Sequence, residues 1–417
     1  MERILKHMKQ IALMGHGVVG SGVMEIFMKN ANVLFQKAGE EFGVKYVLDV
    51  RAFPDLPYAD KFVKDFTLIA NDPEISVVVE TIGGLDPAYG FVKTCLQKGK
   101  SVVSSNKELV ATKGAELLAI AHQKNVNFLF EASVGGGIPI IRPLHQCLAA
   151  NEITEIVGIL NGTTNFILTK MFKEGMAFEP ALNLAQELGY AERDPSADIK
   201  GADAARKICI LASIAFGRHV YPKDVPTSGI ESVSLRDVQF AGKCGSVIKL
   251  IGRAKKCGDG KIAACVSTAL IPLGSQLASV DDVFNAILVR GDATGDVVFY
   301  GKGAGKLPTG SAVMADVISC LKETGSIVTL NWQDSPESVC LPAGEICEKR
   351  YIRVLTKNAE KITAACESLA VSCKIVEDAG ECAVLTDEIT AEKLSRLVEA
   401  LEKADLTVAS SMSVLEY

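Results

Sequence analysis

A chain of 417 residues is too long for one ordinary domain, so two or three are expected. Its 48% hydrophobic and 23% charged residues describe a globular chain with ample material for a core. The net charge of −6 and the lack of a basic tract speak against nucleic acid or another polyanion as partner. No apolar run approaches the ~18 residues of a membrane span, and the opening MERILKHMKQ lacks the apolar core of a signal peptide. The twelve cysteines are scattered singly, with no Cys-x-x-Cys and no Cys/His cluster. They are expected as reduced, mostly buried thiols in a cytoplasmic protein with no membrane partner.

Residues 10–14 form a short apolar strand that runs directly into Gly15-His16-Gly17-Val18-Val19-Gly20, followed by a helical pattern over 21–37. Between a strand and a helix, this spacing is that of a dinucleotide-binding turn. The first glycine permits the tight turn, the second lets the backbone approach a pyrophosphate, and the third allows close packing of helix on strand. His16 sits at a variable loop position and receives no chemical role. The next strand, 45–50, leads to Asp49 and Arg51. An acidic side chain here would hold the ribose hydroxyls of NAD, and an arginine would accept the 2′-phosphate of NADP. Both are present; Arg51 favours NADP, and NAD stays open.

The run ISVVVE at 75–80 is near-continuously apolar, as in a buried parallel sheet, and ends in Thr81-Ile82-Gly83-Gly84, where a loop would touch a cofactor. A helix over 87–98 and a strand over 101–105 follow, then Asn106-Lys107. Such alternation indicates a doubly wound α/β fold with ligands at the carboxyl ends of its strands. By position alone, Lys107 reads more as a solubilising residue than as a functional one. A helix over 113–124 and a strand over 127–132 lead to Ser133-Val134-Gly135-Gly136-Gly137-Ile138-Pro139. Three consecutive glycines leave carbonyls uncovered. They could coordinate a hard monovalent cation or form a hinge, and the residues alone favour the hinge.

In the middle of the chain, strands are expected over 152–160, 261–270, 285–290 and 297–300. Helices are expected over 163–172, 179–188, 202–216 and 238–252. This is a mixed α/β domain on a largely antiparallel sheet. Charge concentrates within 186–210: Glu192 and Asp194 precede Pro195, and Asp198, Asp203 and Lys207 follow it. Pro195 and Gly201 mark a loop, after which Ala202, Ala205, Ile208, Cys209 and Ala212 recur at helical spacing. Asp203 and Lys207 then share one helical face. That spacing alone is common on exposed helices and contributes only about 0.3–0.5 kcal/mol. With its flanking carboxylates, however, the segment could hold an amino group and move a proton.

A helix over 311–322 is expected to return to the nucleotide-binding half, and 334–348 reads as a linker. Beyond it come a strand (350–355), a helix (360–369), strands (371–377 and 383–386), a helix (391–403) and a strand (406–415). A βαββαβ order suggests a small ferredoxin-like domain. The expected domains are therefore 1–140, completed by about 305–333, for nucleotide binding, 141–304 for catalysis and dimerisation, and 349–417 at the C-terminal end.

Several stretches together resemble homoserine dehydrogenase: Ser104-Ser105-Asn106-Lys107, Glu131-Ala132-Ser133-Val134-Gly135-Gly136-Gly137-Ile138-Pro139 and Asn161-Gly162-Thr163-Thr164-Asn165. So do Leu188-Gly189-Tyr190-Ala191-Glu192 with Asp194-Pro195, Asp198, Gly201, Asp203 and Ala205-Arg206-Lys207, and the later Gly301-Lys302-Gly303-Ala304-Gly305 with Pro308-Thr309-Gly310-Ser311-Ala312-Val313. The similarity runs in order from about residue 10 to 345. It implies reversible NAD(P)-dependent oxidation of L-homoserine to L-aspartate 4-semialdehyde, in the route to threonine, isoleucine and methionine.

By this resemblance Lys207 and Lys107 match the two active-site lysines, and Asp203 the aspartate one turn before the helical lysine. Glu192 matches the residue that holds the substrate amino group, with Gly162, Thr163, Tyr190 and Asp198 lining the pocket. The coenzyme side would comprise Gly15, Gly17, Val18, Val19, Gly20, Arg51, Ile82, Gly83, Ser104, Ser105, Lys107 and Gly303. The backbone carbonyls of Glu131, Val134, Gly136 and Ile138 match a sodium or potassium site, which replaces the hinge reading. The C-terminal domain resembles the ACT regulatory domain of many bacterial members. It departs from them in having Lys357-Asn358-Ala359-Glu360 where the family usually has Asp-x-Pro-Gly. That turn helps form the amino-acid effector site, so a threonine effector and a purely dimer-stabilising module are both expectations. A homodimer or homotetramer is implied.

The residue types suit the chemistry. Oxidising a primary alcohol needs a hydride acceptor and a base, and the reverse needs an acid with positive charge near the alkoxide. A free lysine, with a pKa of about 10.4, is a poor base, but a second lysine and partial desolvation would lower it. Proton transfer is therefore expected from Lys207, with Lys107 orienting the substrate, and the reverse assignment is also open. The alternatives are another Rossmann-fold oxidoreductase acting on a small amino-acid-derived alcohol or aldehyde, and a non-catalytic nucleotide or amino-acid sensor.

Overall fold

The computed structural model describes residues 8–322, 330 and 332–417. They form two compact units. One contains the chain up to Ala150 with Ile210–His219 and Gly301–Pro336; the other contains Asn151–Cys209, Val220–Tyr300 and Glu337–Tyr417.

The first unit is built on strands β1 (Lys9–Met14), β2 (Phe42–Leu48), β3 (Phe62–Val63), β4 (Ile75–Glu80), β5 (Ser101–Ser104) and β6 (Phe128–Leu129). All pairs are parallel, in the order β3-β2-β1-β4-β5-β6. This is the doubly wound dinucleotide order: from β1 to β3 strands are added on one side and from β4 to β6 on the other, and such sheets open a crevice between β1 and β4. Ile11, Leu13, Val77, Val79 and Val103 form the core with Val23 and Met24 of helix Val18–Ala38 and Val313, Met314 and Val317 of helix Lys306–Lys322. Each such side chain contributes roughly 1.5–3 kcal/mol when fully buried. The helix expected over 113–124 begins earlier, at Lys107. The cause is Asn106, whose side chain caps the helix by accepting from the Leu109 N–H at 3.1 Å.

The second unit carries one ten-stranded sheet. Its strands are β7 (Ile153–Ile159), β8 (Ser246–Lys256), β9 (Ile262–Pro272), β10 (Phe284–Gly291), β11 (Gly295–Lys302), β12 (Cys347–Val354), β13 (Cys373–Asp378), β14 (Glu381–Thr386), β15 (Ile389–Thr390) and β16 (Val408–Val414). The order is β11-β10-β7-β8-β9-β16-β12-β14-β13, with β15 on β12. One expectation fails here. The helix read over 238–252 is a shorter helix, Leu235–Lys243, followed by the eleven-residue strand β8. Gly245, at φ +67°, stops the helix. The first seven residues of β8 are all buried, so the run lacks the alternation that marks a half-exposed strand.

The C-terminal segment has the order β12, helix Ala359–Ser368, β13, β14, helix Ala391–Lys403, β16. It does not stand apart, because β16 pairs in parallel with β9 through Ser413–Ala269 and Val414–Leu270. The stretch read as a linker is also tied down: Ile262 N–H donates to Val339 O and Leu341 N–H to Ile262 O, each at 2.9 Å. A buried polar node joins helix Leu235–Lys243 to this segment. Arg353 Nε donates to Asp237 Oδ1 at 2.8 Å, Tyr351 Oη donates to the same oxygen at 3.1 Å, and Ser410 Oγ does so too. Asp237 has no exposed surface.

None of the twelve cysteines is in a disulfide. No helix among the described residues is long and apolar enough to cross a membrane. Removing one partner of a buried ion pair strands the other charge at a cost of about 3–5 kcal/mol. Asp237→Ala should therefore lower the thermal midpoint and release amide protection first in residues 347–417. Unchanged exchange in that segment would show that the node does not hold it.

Candidate active site

At the carboxyl end of β1, Gly15 takes φ +94°, and a Cβ there would stand 2.8 Å from Thr81 O. A Cβ on Gly17 would meet nothing within 4 Å, which leaves open space for a pyrophosphate, whereas one on Gly20 would stand 2.1 Å from Gly15 O. These are the three demands of a dinucleotide turn, so the residues fit an NAD(P) coenzyme. Val18 is exposed and Val19 half-buried. Asp49 and Arg51 do not act separately. Arg51 Nε and Nη2 donate to the two Asp49 oxygens at 3.0 and 2.9 Å, and His16 N–H donates to Asp49 at 2.8 Å. Hydrogen bonding to Arg51 holds the Asp49 carboxyl well below the usual range. The Arg51 guanidinium also lies over the Phe53 ring, 5.1 Å from its centre.

His16, which the sequence reading left without a role, is a buried anchor. Its ring packs edge-on against Phe53, Tyr58 and Phe62, and Nε2 meets Tyr58 Oη at 3.0 Å. Burial lowers its pKa.

The ends of β4 and β5 are joined by Glu80, a residue that sequence reasoning passed over as the last of an apolar run. Its fully buried carboxylate accepts Ile82 N–H at 2.8 Å, Gly83 N–H at 3.2 Å and the Ser104 hydroxyl at 2.5 Å. Ser104 Oγ accepts the Asn106 N–H, and Asn106 Nδ2 donates to Gly84 O at 2.6 Å, closing a ring between the two loops. Ser105 N–H donates to Glu80 O. Lys107, half-buried, opens the helix that this ring orients. Burial raises the Glu80 pKa while the three donors oppose it.

The triple-glycine stretch is compact. Gly135 and Gly136 take φ +74° and +55°, and a Cβ on Gly136 would stand 2.4 Å from Gly303 O. Gly137 N–H donates to Lys302 O. Among the described residues, no backbone N–H donates to the carbonyls of Val134, Gly136 or Ile138, all buried. The Glu131 carboxylate accepts the N–H groups of Ile140, Ile141 and Arg142 at 2.7–2.8 Å. Its own N–H donates to Asp316 at 2.8 Å. Asp316 is pushed up to about 7, first by burial and then by the charge of Glu131.

In the second unit, the carboxyl end of β7 meets the starts of two helices, Gly162–Glu174 and Ala202–Phe216. Lys207 Nζ donates to Leu160 O and to Asp203 Oδ2, each at 2.7 Å. Lys207 and Asp203 are both buried, so this pair is not a solvated surface contact. Asn161 joins the cluster: Nδ2 donates to Asp203 Oδ2 at 2.9 Å and to Asp198 Oδ1 at 2.7 Å. Asp198 is raised by burial and by the charge of Asp203. Thr163 Oγ1 donates to Tyr190 O at 2.8 Å, and the Tyr190 ring meets Phe166 edge-on. Glu192 is exposed on the following loop, where Gln186 Nε2 donates to its carbonyl at 3.1 Å. Asp198, Asp203 and Lys207 are thus brought together. Asn161, which joins them, was quoted in the sequence only as part of a motif.

An NAD(P)-type turn and a buried lysine–carboxylate cluster are what a nicotinamide-dependent alcohol oxidation requires of a chain. Comparison with known proteins gives the same direction. Residues 15–131 match the family model "Homoserine dehydrogenase, NAD binding domain", and 139–318 match "Homoserine dehydrogenase". Homoserine dehydrogenase of Bacillus subtilis is 38% identical, covering 87% of this chain and 86% of its own. That of Neisseria gonorrhoeae is 38% identical over 95% of both. The crystal structure of a homoserine dehydrogenase from Thiobacillus denitrificans superposes with a TM-score of 0.90 at 35% identity, over 98% of both chains. A hyperthermophilic archaeal homoserine dehydrogenase in complex with NADPH gives 0.64 at 29% identity, over 75% of this chain and 97% of its own. The chain therefore belongs to the homoserine dehydrogenase family, NAD(P)-dependent oxidoreductases acting on the CH–OH group of homoserine.

Proposed function

We propose that this chain interconverts L-homoserine and L-aspartate 4-semialdehyde with NADP as its preferred coenzyme, and that Lys207 handles the proton. The observation that carries the reading is the Lys207 nitrogen fixed 2.7 Å from both Leu160 O and Asp203 Oδ2. A nicotinamide coenzyme held by the glycine turn would supply the hydride chemistry. In oxidation Lys207 accepts the hydroxyl proton; in reduction it returns that proton to the developing alkoxide, whose charge it also stabilises. Asp203 holds Lys207 in place. Glu192 and Asp198 offer negative charge to the substrate ammonium, beside Gly162, Thr163 and Tyr190. Lys107 has the role of orienting the substrate.

On the coenzyme side, Gly15, Gly17, Val18, Val19 and Gly20 would hold the pyrophosphate, and Ile82, Gly83, Ser104, Ser105 and Gly303 would complete the coenzyme site. Arg51 supports NADP, because it offsets the charge of Asp49, which would otherwise repel a 2′-phosphate. The NADPH-bound archaeal relative points the same way. The carbonyls of Glu131, Val134, Gly136 and Ile138 would hold a sodium or potassium ion. The setting is the cytoplasmic route to threonine, isoleucine and methionine, and the working form is a homodimer or homotetramer. The C-terminal segment serves either a threonine effector or the assembly alone. Asn358, in the departing turn, caps helix Ala359–Ser368 by accepting from Lys361 N–H at 3.1 Å, a purely structural use of that position.

The test is the absorbance at 340 nm with aspartate semialdehyde and NADPH or NADH, with and without threonine. Faster oxidation of NADPH is expected, and folded protein inert with both coenzymes would sink the assignment. Lys207→Ala and Lys107→Ala should each lower turnover by about 10²–10⁴-fold without unfolding the protein; near-normal turnover in both refutes the mechanism. Arg51→Ala should raise the KM for NADPH about tenfold or more while leaving that for NADH within about twofold. An equal change for both coenzymes would show that Arg51 does not read the 2′-phosphate.

A further inference from the structure

Asn161 lies where the carboxyl end of β7 turns into helix Gly162–Glu174, and it is buried. Its side-chain oxygen is used twice on the helix side, accepting the Thr164 N–H at 2.8 Å and the Thr164 hydroxyl at 3.0 Å. This fixes which way the amide faces. The oxygen needs donors, so the NH2 group must turn towards Asp198 and Asp203, and a flipped amide would set an acceptor against two carboxylates. One amide nitrogen then reaches Asp198 Oδ1 at 2.7 Å and Asp203 Oδ2 at 2.9 Å.

We propose that Asn161 is a positioning residue of the reaction: its amide bridges Asp198 to Asp203, keeping one carboxylate ready for the substrate ammonium and the other against Lys207. The inference rests on the reading of Asp198, Asp203 and Lys207 as the homoserine site. Two carboxylates side by side repel, and without a donor between them one takes up a proton or turns away. The bridge is neutral. Among these three groups, two negative charges and one positive leave a single negative charge, which suits the ammonium of an amino acid. A lysine or arginine in place of Asn161 would fill that vacancy itself.

The groups that face Asp198 act in a known sense. Burial and the charge of Asp203 raise its pKa; Asn161, Lys207 and Thr163 oppose them. Loss of the Asn161 donor removes one opposing influence, so the charged form of Asp198 is lost at a higher pH. In semialdehyde reduction this appears as an acid limb displaced upwards. A residue that only capped the helix would leave the limb where it was.

Two variants separate the roles. Asn161→Ser keeps a capping oxygen but is too short to bridge the carboxylates. Asn161→Asp keeps both the cap and the length, and replaces the donor by an acceptor. Kinetics of semialdehyde reduction with NADPH across pH are compared with melting temperature. Both variants are expected to lose about 10–100-fold in kcat/KM for the semialdehyde, with the KM for NADPH within about twofold. The acid limb should move to higher pH in both, further in Asn161→Asp. If Asn161→Ser does not fold, Asn161→Asp decides alone. An active wild type with variants that keep its acid limb and kcat/KM overturns the inference, whatever their melting temperatures. A wild type inert towards the semialdehyde overturns the site reading, and the inference with it.

Discussion

The second unit depends on one carboxylate oxygen. Asp203 Oδ2 accepts from Lys207 Nζ and from Asn161 Nδ2 at once, in a place where both lysine and aspartate are buried. Taking an ammonium and a carboxylate out of water costs several kcal/mol per ion, and the arrangement persists only because each has further partners. Leu160 O supplies one for the lysine and Asn161 one for the aspartate. The end of β7 and the first turns of two helices therefore cannot shift independently. Their relative placement sets the position of the Lys207 nitrogen.

The first unit also relies on buried carboxylates. Glu80 holds the backbone N–H groups of Ile82 and Gly83, and Glu131 holds those of Ile140, Ile141 and Arg142. Each is a buried carboxylate that fastens a loop at a carboxyl end of the sheet. Hydrogen bonds to an ionised acceptor are stronger than neutral ones, so a few of them make rigid what would otherwise be glycine-rich, mobile backbone. Preorganised donors and charges at such a site cost no rearrangement when the reaction occurs.

What could be read from sequence follows from this. The strand–glycine–helix turn, the apolar run at 75–80 and the Asp203–Lys207 spacing all declare themselves locally, because chain direction and helical period are local properties. Glu80 did not, since only the sheet order brings Ser104 beside it. Asn161 was visible as a letter in a motif but not as a bridge, because Asp198 and Asp203 lie about forty residues away and meet it only in three dimensions. Lys107 follows a strand in the sequence, and Asn106 makes it the start of a helix. The strand β8 reads as helix from sequence because burial on both faces erases its period. Family likeness supplied the roles that periodicity could not.

The parallel pairing of β16 with β9 gives the C-terminal segment a structural duty in the sheet. Cutting the chain before β12 would strip the neighbour from the Ala269–Leu270 stretch of β9, while Val266 and Ile262 would keep their bonds to Pro226, Ser228, Val339 and Leu341. Exposed edges of that kind recruit other strands and seed aggregation. A shortened protein would carry that uncovered stretch of edge whether or not any effector had ever bound the part removed.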